Sequence, residues 1–247
     1  MKKTFSSLLL IFVSAWVIAQ RADYRIIPLP KSVQTDTTQF FTLRSGMGIA
    51  YDAQNPQIAQ NAAFLQQWVK EATGVELALT PSDPKAAVRL ILGTQADKKS
   101  KKNRKKQQPQ QQESYTLTVG SGGIEIRGPQ PEGIFRGVQT LRKSLPVKQL
   151  SSVELPFVQI ADQPRFTYRG VLLDCGRHFF TVDVIKQFLD VMALHGCNQF
   201  QWHLTEDQGW RFEVKALPDL AVKGSVREKT VIGPGNHRIY DNVPYGG

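Results

Sequence analysis

Residues 166–214 read FTYRGVLLDCGRHFFTVDVIKQFLDVMALHGCNQFQWHLTEDQGWRFEV, and their order predicts strand, loop, helix, strand, loop. The first strand, Tyr168 to Cys175, is apolar at its centre through Val171, Leu172 and Leu173. Asp174, Arg177 and His178 stand at its exit. Thr181 suits a helix N-cap, Asp183 the first turn, and Val184, Ile185, Phe188, Leu189 and Met192 form one apolar stripe. Gly196 is the expected stop. A second strand, Gln199 to Leu204, then releases His203, Glu206, Asp207, Gln208, Trp210 and Arg211. Two strands joined by one amphipathic helix are parallel, with a right-handed crossover. Both polar clusters therefore fall at carboxyl ends of strands, where open α/β sheets and barrels build their sites.

The rest of the chain sets the context. Met1-Lys2-Lys3 followed by an apolar run from Ser6 to Ala19 has the form of a secretory signal, with cleavage before Gln20. The run is too short to span a bilayer comfortably, and no other stretch is long enough. The mature protein is expected to be periplasmic or secreted. The net charge of +10 is local, because residues 98–106, KKSKKNRKK, hold seven cations and no acid. Without them the charge is +3, and without Lys2 and Lys3 it is +1. Residues 98–112 read either as a nucleic-acid or anionic-surface patch or as a solvated insertion; the insertion is favoured and no nucleic-acid partner is expected, because no aromatic residue interleaves with the lysines as nucleic-acid stacking requires.

Residues 23–160 read as a separate α+β sandwich domain, a mainly antiparallel sheet with helices on one face. Its strands are expected at Phe40–Leu43, Gly48–Tyr51, Val75–Leu79, Val88–Leu92, Tyr115–Val119 and Ile124–Arg127. The last two are split by the hairpin signal Gly120-Ser121-Gly122-Gly123. Helices are expected from Pro56 to Glu71, stopped by Gly74, and from Pro131 to Leu145, bounded by Pro146. Residues 161–164 form the linker. Cys175 and Cys197 lie toward opposite ends of adjacent parallel strands, on the order of 15 Å apart, so both are expected to be free, buried thiols. The four histidines lack ligand spacing, so no metal and no cofactor is expected.

The motifs Tyr168-Arg169-Gly170, Leu173-Asp174, Arg177-His178-Phe179-Phe180 and Trp202-His203-Leu204-Thr205-Glu206-Asp207-Gln208-Gly209-Trp210-Arg211 resemble the opening of the catalytic domain of glycoside hydrolase family 20, the β-N-acetylhexosaminidases. The run from Glu132-Gly133-Ile134 to Thr140-Leu141 resembles the last helix of that family's N-terminal domain. The resemblance implies a (β/α)8 TIM barrel after the α+β domain, and glycans bearing terminal N-acetylhexosamine as substrates. It gives Arg169 the hydroxyls of the bound sugar, and the planar fork suits vicinal hydroxyls; an ion pair at the barrel floor is the other reading of that residue. It makes Glu206, at a position usually held by Asp, the partner of a relay histidine, a role that Asp207 could share. Asp174, Arg177 and His178 are expected to brace their loop, and His203 to pack or bond near the barrel floor. Trp202 and Trp210 are read as core residues or as platforms for a pyranose.

The resemblance further implies a substrate-assisted retaining mechanism, in which the sugar's own 2-acetamido oxygen attacks the anomeric carbon. An adjacent Asp-Glu pair orients that group and protonates the leaving oxygen. No such pair follows residue 214. Residues 165–247 number 83, about a third of the ~250 that a complete barrel needs. The chain is therefore expected to be the N-terminal part of a longer enzyme and to be inactive alone. A non-catalytic carbohydrate-binding protein is the alternative.

Overall fold

The computed structural model describes residues 21–93, 112–234 and 239–247. The expected signal segment and the run 98–106 lie outside them.

The first body is one seven-stranded sheet with two helices. Its strands are β1 (Ser32–Arg44), β2 (Gly48–Ala50), β3 (Ala78–Leu79), β4 (Val88–Leu92), β5 (Tyr115–Gly120), β6 (Gly123–Gly128) and β7 (Ser152–Asp162). Its helices are α1 (Pro56–Thr73) and α2 (Pro131–Ser144). The sheet order is β1-β7-β5-β6-β4-β2-β3. Alternate residues such as Val88, Leu90, Leu117, Val119, Ile124 and Ile126 are buried, and both helices pack on the sheet and on each other. Phe64, Trp68 and Phe135 meet between the helices, with Phe64 and Trp68 stacked at 5.0 Å.

Local signals fix the helix ends. The Asn55 side chain accepts from the N–H groups of Gln57 and Ile58, and Pro56 opens α1. Gly74 closes α1 at φ +77°, a conformation that costs a residue with a Cβ. The glycine-rich hairpin forms as expected, with Gly120 opposite Gly123.

Two expectations about this body are corrected. The sheet is mixed, not mainly antiparallel: β1–β7, β7–β5 and β5–β6 are antiparallel, whereas β6–β4, β4–β2 and β2–β3 are parallel. The reason lies partly in α1, whose crossing between β2 and β3 forces those strands to run the same way. The longest strands also depart from the expected set. β7 was not anticipated, and β1 extends well upstream of Phe40, with a register shift between Asp36 and Phe40. Consequently residues 161 and 162, expected in the linker, belong to the sheet.

The second body begins with β8 (Gly170–Asp174), α3 (Val182–Leu194) and β9 (Gln199–His203). β8 and β9 are parallel, from Gly170 opposite Gln199 to Asp174 opposite His203. Thr181 caps α3, with its Oγ1 3.5 Å from the Val184 nitrogen. The stripe of α3 is only partly covered: Ile185 and Met192 are buried, while Val184 and Leu189 are exposed. A hairpin of β10 (Thr205–Glu206) and β11 (Gly209–Trp210), a short helix α4 (Pro218–Val222), and the paired strands β12 (Val226–Arg227) and β13 (Tyr245–Gly246) complete it. Both cysteines are free; Cys175 is buried and Cys197 half-buried. No helix among the described residues is long and apolar enough to cross a membrane.

Candidate functional site

The parallel register puts Asp174 and His203 side by side at the carboxyl ends of β8 and β9, so His203 stands at the rim and not near the floor, where it was expected. The Cys175 N–H donates to the His203 carbonyl at 2.8 Å, so the two exits leave together. After β8 the chain turns on Asp174 itself, whose Oδ1 accepts the Arg177 N–H at 3.0 Å. Its Oδ2 takes the Arg177 Nε–H as well. After β9 the β10–β11 hairpin folds Glu206 back over this turn. Glu206 Oε2 lies 3.3 Å from Arg177 Nη1 and 3.1 Å from His203 Nε2. The fit is close: a Cβ built on Gly176 would sit 2.8 Å from the Glu206 Cβ, so the position requires glycine.

Arg177 is thus clamped between two carboxylates. Burial alone would raise the Asp174 pKa; the backbone and side-chain hydrogen bonds from Arg177, with the charges of Arg177 and His203, outweigh it and hold the carboxyl below its ordinary value. The Arg177 side chain remains 48% exposed, and its Nη2 makes no hydrogen bond among the described residues. The cluster can therefore present a charged, oriented donor nitrogen to a polar ligand. No group of three His, Cys, Asp or Glu that could hold a metal ion occurs among the described residues.

The other expected residues fall in different places. His178 Nδ1 lies 3.0 Å from the Tyr245 hydroxyl, and the rings tilt together at 5.3 Å, so His178 braces the loop against β13. Asp207 is exposed at the hairpin tip and makes no hydrogen bond or ion pair among the described residues, so it does not join Glu206. Trp210 is half-buried, and its Nε1 donates to the Phe212 carbonyl at 2.5 Å. Trp202 is about half exposed, with its Nε1 3.2 Å from Cys175 Sγ.

Arg169 was expected to bind the sugar hydroxyls, but it stands at the opposite end of the strand from Glu206, so the two share no rim. It precedes β8, and its own carbonyl accepts from the N–H of Asn198 at 3.0 Å, at the amino end of β9. Its guanidinium donates to the carbonyls of Gly196 at 2.7 Å and Phe166 at 2.5 Å, and to Glu113. Glu113 also takes Arg136 of α2 at 2.9 Å. Arg169 is therefore an ion-paired brace to the first body, close to the floor reading given above.

Sequence reasoning gave no role to Arg211, Arg227 or Tyr245, which build the back of the site. Arg211 donates to the carbonyls of Cys175 at 3.0 Å and Gly247 at 2.9 Å, and also to Ser225. Arg227 reaches the Arg177 carbonyl at 3.0 Å and lies over the Tyr245 ring at 4.3 Å. The two arginines bond mainly to backbone carbonyls, which carry no sequence signature.

Comparison with known proteins gives matches over both bodies. Residues 166–243 match "Glycosyl hydrolase family 20, catalytic domain", and residues 23–163 match "Glycosyl hydrolase family 20, domain 2". The β-hexosaminidase of Porphyromonas gingivalis is 33% identical over 208 residues, covering 82% of this chain and 25% of that protein. The Streptomyces plicatus N-acetyl-β-hexosaminidase, solved in complex with Thio-NAglucal, superposes with a TM-score of 0.70 at 30% identity, covering 85% of this chain and 40% of that one. The β-N-acetylhexosaminidase from Streptomyces coelicolor A3(2) gives 0.71 at 30%, covering 87% and 42%. The chain spans between 25% and 42% of the length of these relatives. Two family matches that together run from residue 23 to 243, over a fold shared with solved members, show that the chain belongs to glycosyl hydrolase family 20.

Proposed function

We propose that this chain carries the sugar-gripping part of a β-N-acetylhexosaminidase that removes terminal N-acetylhexosamine from glycans. The observation that carries the reading is Arg177, held between Asp174 and Glu206 at the carboxyl ends of parallel strands with Nη2 unspent. Two N–H groups on one fixed nitrogen suit neighbouring ring hydroxyls. The hydroxyl-binding role that the resemblance gave to Arg169 passes in this reading to Arg177, because only Arg177 lies beside Glu206.

Glu206 orients two partners at once. Its carboxylate pairs with the Arg177 fork and lies 3.1 Å from His203 Nε2, so the rim keeps its geometry before substrate arrives. In the substrate-assisted mechanism that the family resemblance implies, the 2-acetamido oxygen forms the new bond to the anomeric carbon as the glycosidic bond breaks. The adjacent Asp-Glu pair needed for that step is not among residues 1–247, so turnover is tested in a chain that carries it. Residues 165–247 are read as the first units of a (β/α)8 barrel; the parallel β8–α3–β9 unit supports this. The protein is read as exported.

The test compares Arg177→Met with Arg169→Met in a chain that includes the whole barrel, using a chromogenic N-acetylglucosaminide. Losing one charge-assisted sugar contact, worth about 1.5–3 kcal/mol, raises KM or lowers kcat/KM at least tenfold for Arg177→Met. Arg169→Met lowers thermal stability and leaves KM near the parent value. An unchanged kcat/KM in Arg177→Met sinks the assignment.

A further inference from the structure

A cleft of about 620 Å³ opens at the opposite end of β8 and β9, between the two bodies. Its size falls in the range of small-molecule sites, which are mostly apolar with a few placed polar groups. Pro28, Leu29, Phe166 and Leu194 supply apolar walls, and Leu29 and Phe166 are largely exposed. One face of α2 supplies the floor.

That floor carries an unmet demand. Gln139 is only 2% exposed and lines the cleft, yet neither its Nε2 nor its Oε1 has a hydrogen-bond partner. An unsatisfied buried polar group is costly, and native interiors seldom keep one without a reason. Lys143, one turn further along the same face of α2, donates to the Ile27 carbonyl at 3.1 Å. No carboxylate among the described residues stands within ion-pair distance of it. Burial pushes its pKa down, partly countered by Asp162 and reinforced by Arg136, so its charge is poorly compensated. Arg136 and Arg169 share the single carboxylate of Glu113, which leaves that trio one charge positive. The hydroxyls of Tyr115 and Thr140 meet at 2.6 Å beside Asp162 and complete the polar edge.

We propose that this cleft binds a small hydroxylated organic anion, of the size of an acidic or phosphorylated monosaccharide. Lys143 takes the anionic group, the Gln139 amide gains a donor and an acceptor from the polar body, and the ring lies against Phe166 and Leu29. An anion is preferred to a neutral sugar because cations outnumber carboxylates around the cleft: Lys31, Arg136, Lys143 and Arg169 stand against Asp162 and Glu113. The site is independent of the rim at Arg177, and its occupant bridges both bodies.

The experiment titrates glucuronate, glucose 6-phosphate and, as the neutral control, glucose into the purified 247-residue chain by calorimetry, at low salt and at high salt. At least one anion binds, glucose does not, and affinity falls with salt. A response to glucuronate alone assigns a carboxylate ligand, and one to glucose 6-phosphate alone assigns a phosphate. Lys143→Met weakens binding tenfold or more. Gln139→Leu weakens it as well, and does not lower the melting temperature of the free chain, since it removes an amide with no partner. No heat from either anion, equal binding of glucose, unchanged affinity in both variants, or a lowered melting temperature in Gln139→Leu each overturn the proposal.

Discussion

Replacing Glu113 by Gln tests the joint between the two bodies. The Glu113 carboxylate holds Arg136 and Arg169, and the three side chains are 14%, 13% and 17% exposed. Removing its charge leaves two guanidinium groups close together with little water and no counter-ion. Truncating one partner of a buried ion pair costs about 3–5 kcal/mol, and the residual exposure here places the loss near the lower figure, about 3 kcal/mol. Arg169→Met leaves the Glu113–Arg136 pair intact, so its cost comes instead from the freed carbonyls of Gly196 and Phe166, about 2 kcal/mol. The two changes share one contact, so the double variant is less destabilised than the sum, by about 1 kcal/mol or more. The assay is urea unfolding of the chain followed by fluorescence.

The same carboxylate makes the joint sensitive to acid. Burial works to raise the Glu113 pKa, but the hydrogen bond from Arg169 and the charge and hydrogen bond of Arg136 outweigh it and lower it from 4.5. A carboxyl with a depressed pKa in the folded state contributes stability that is present above its unfolded value and is lost as pH falls through the folded one. The parent chain therefore loses this contribution below about pH 4.5, whereas Glu113→Gln, having already lost it, shows a flatter profile in that window. A loss under about 1 kcal/mol for Glu113→Gln at pH 7, the size of an ordinary surface pair, refutes the reasoning.

Asn55→Ala removes the acceptor for the N–H groups of Gln57 and Ile58 and should cost about 1 kcal/mol in the same unfolding assay, with Asn55→Ser close to the parent. Expressed with its leader in a secreting bacterium, the protein should begin at Gln20 by N-terminal sequencing; a mature chain that keeps Met1 removes the case for export.

Much of the local architecture was legible in the sequence. The cap Thr181, the stop at Gly74, the hairpin at residues 120–123 and the parallel β8–α3–β9 unit all follow from neighbours within a few turns of chain. So did the family, and so did the Asp174–Arg177 contact, whose members are three residues apart. The strand β7 escaped because Pro156 interrupts its pattern and its partner β1 lies more than a hundred residues upstream.

The tertiary structure alone decided which arginine faces which end. Arg169 and Arg177 are separated in sequence by the strand β8, whose five residues span roughly 17 Å, enough to put them on opposite ends of the sheet. Arg169 meets Glu113, 56 residues away, while Arg177 meets Glu206 across the hairpin fold. Residue type and spacing fix what a guanidinium can bind; which carboxylate it finds depends on long-range strand and helix packing, and no local pattern encodes that.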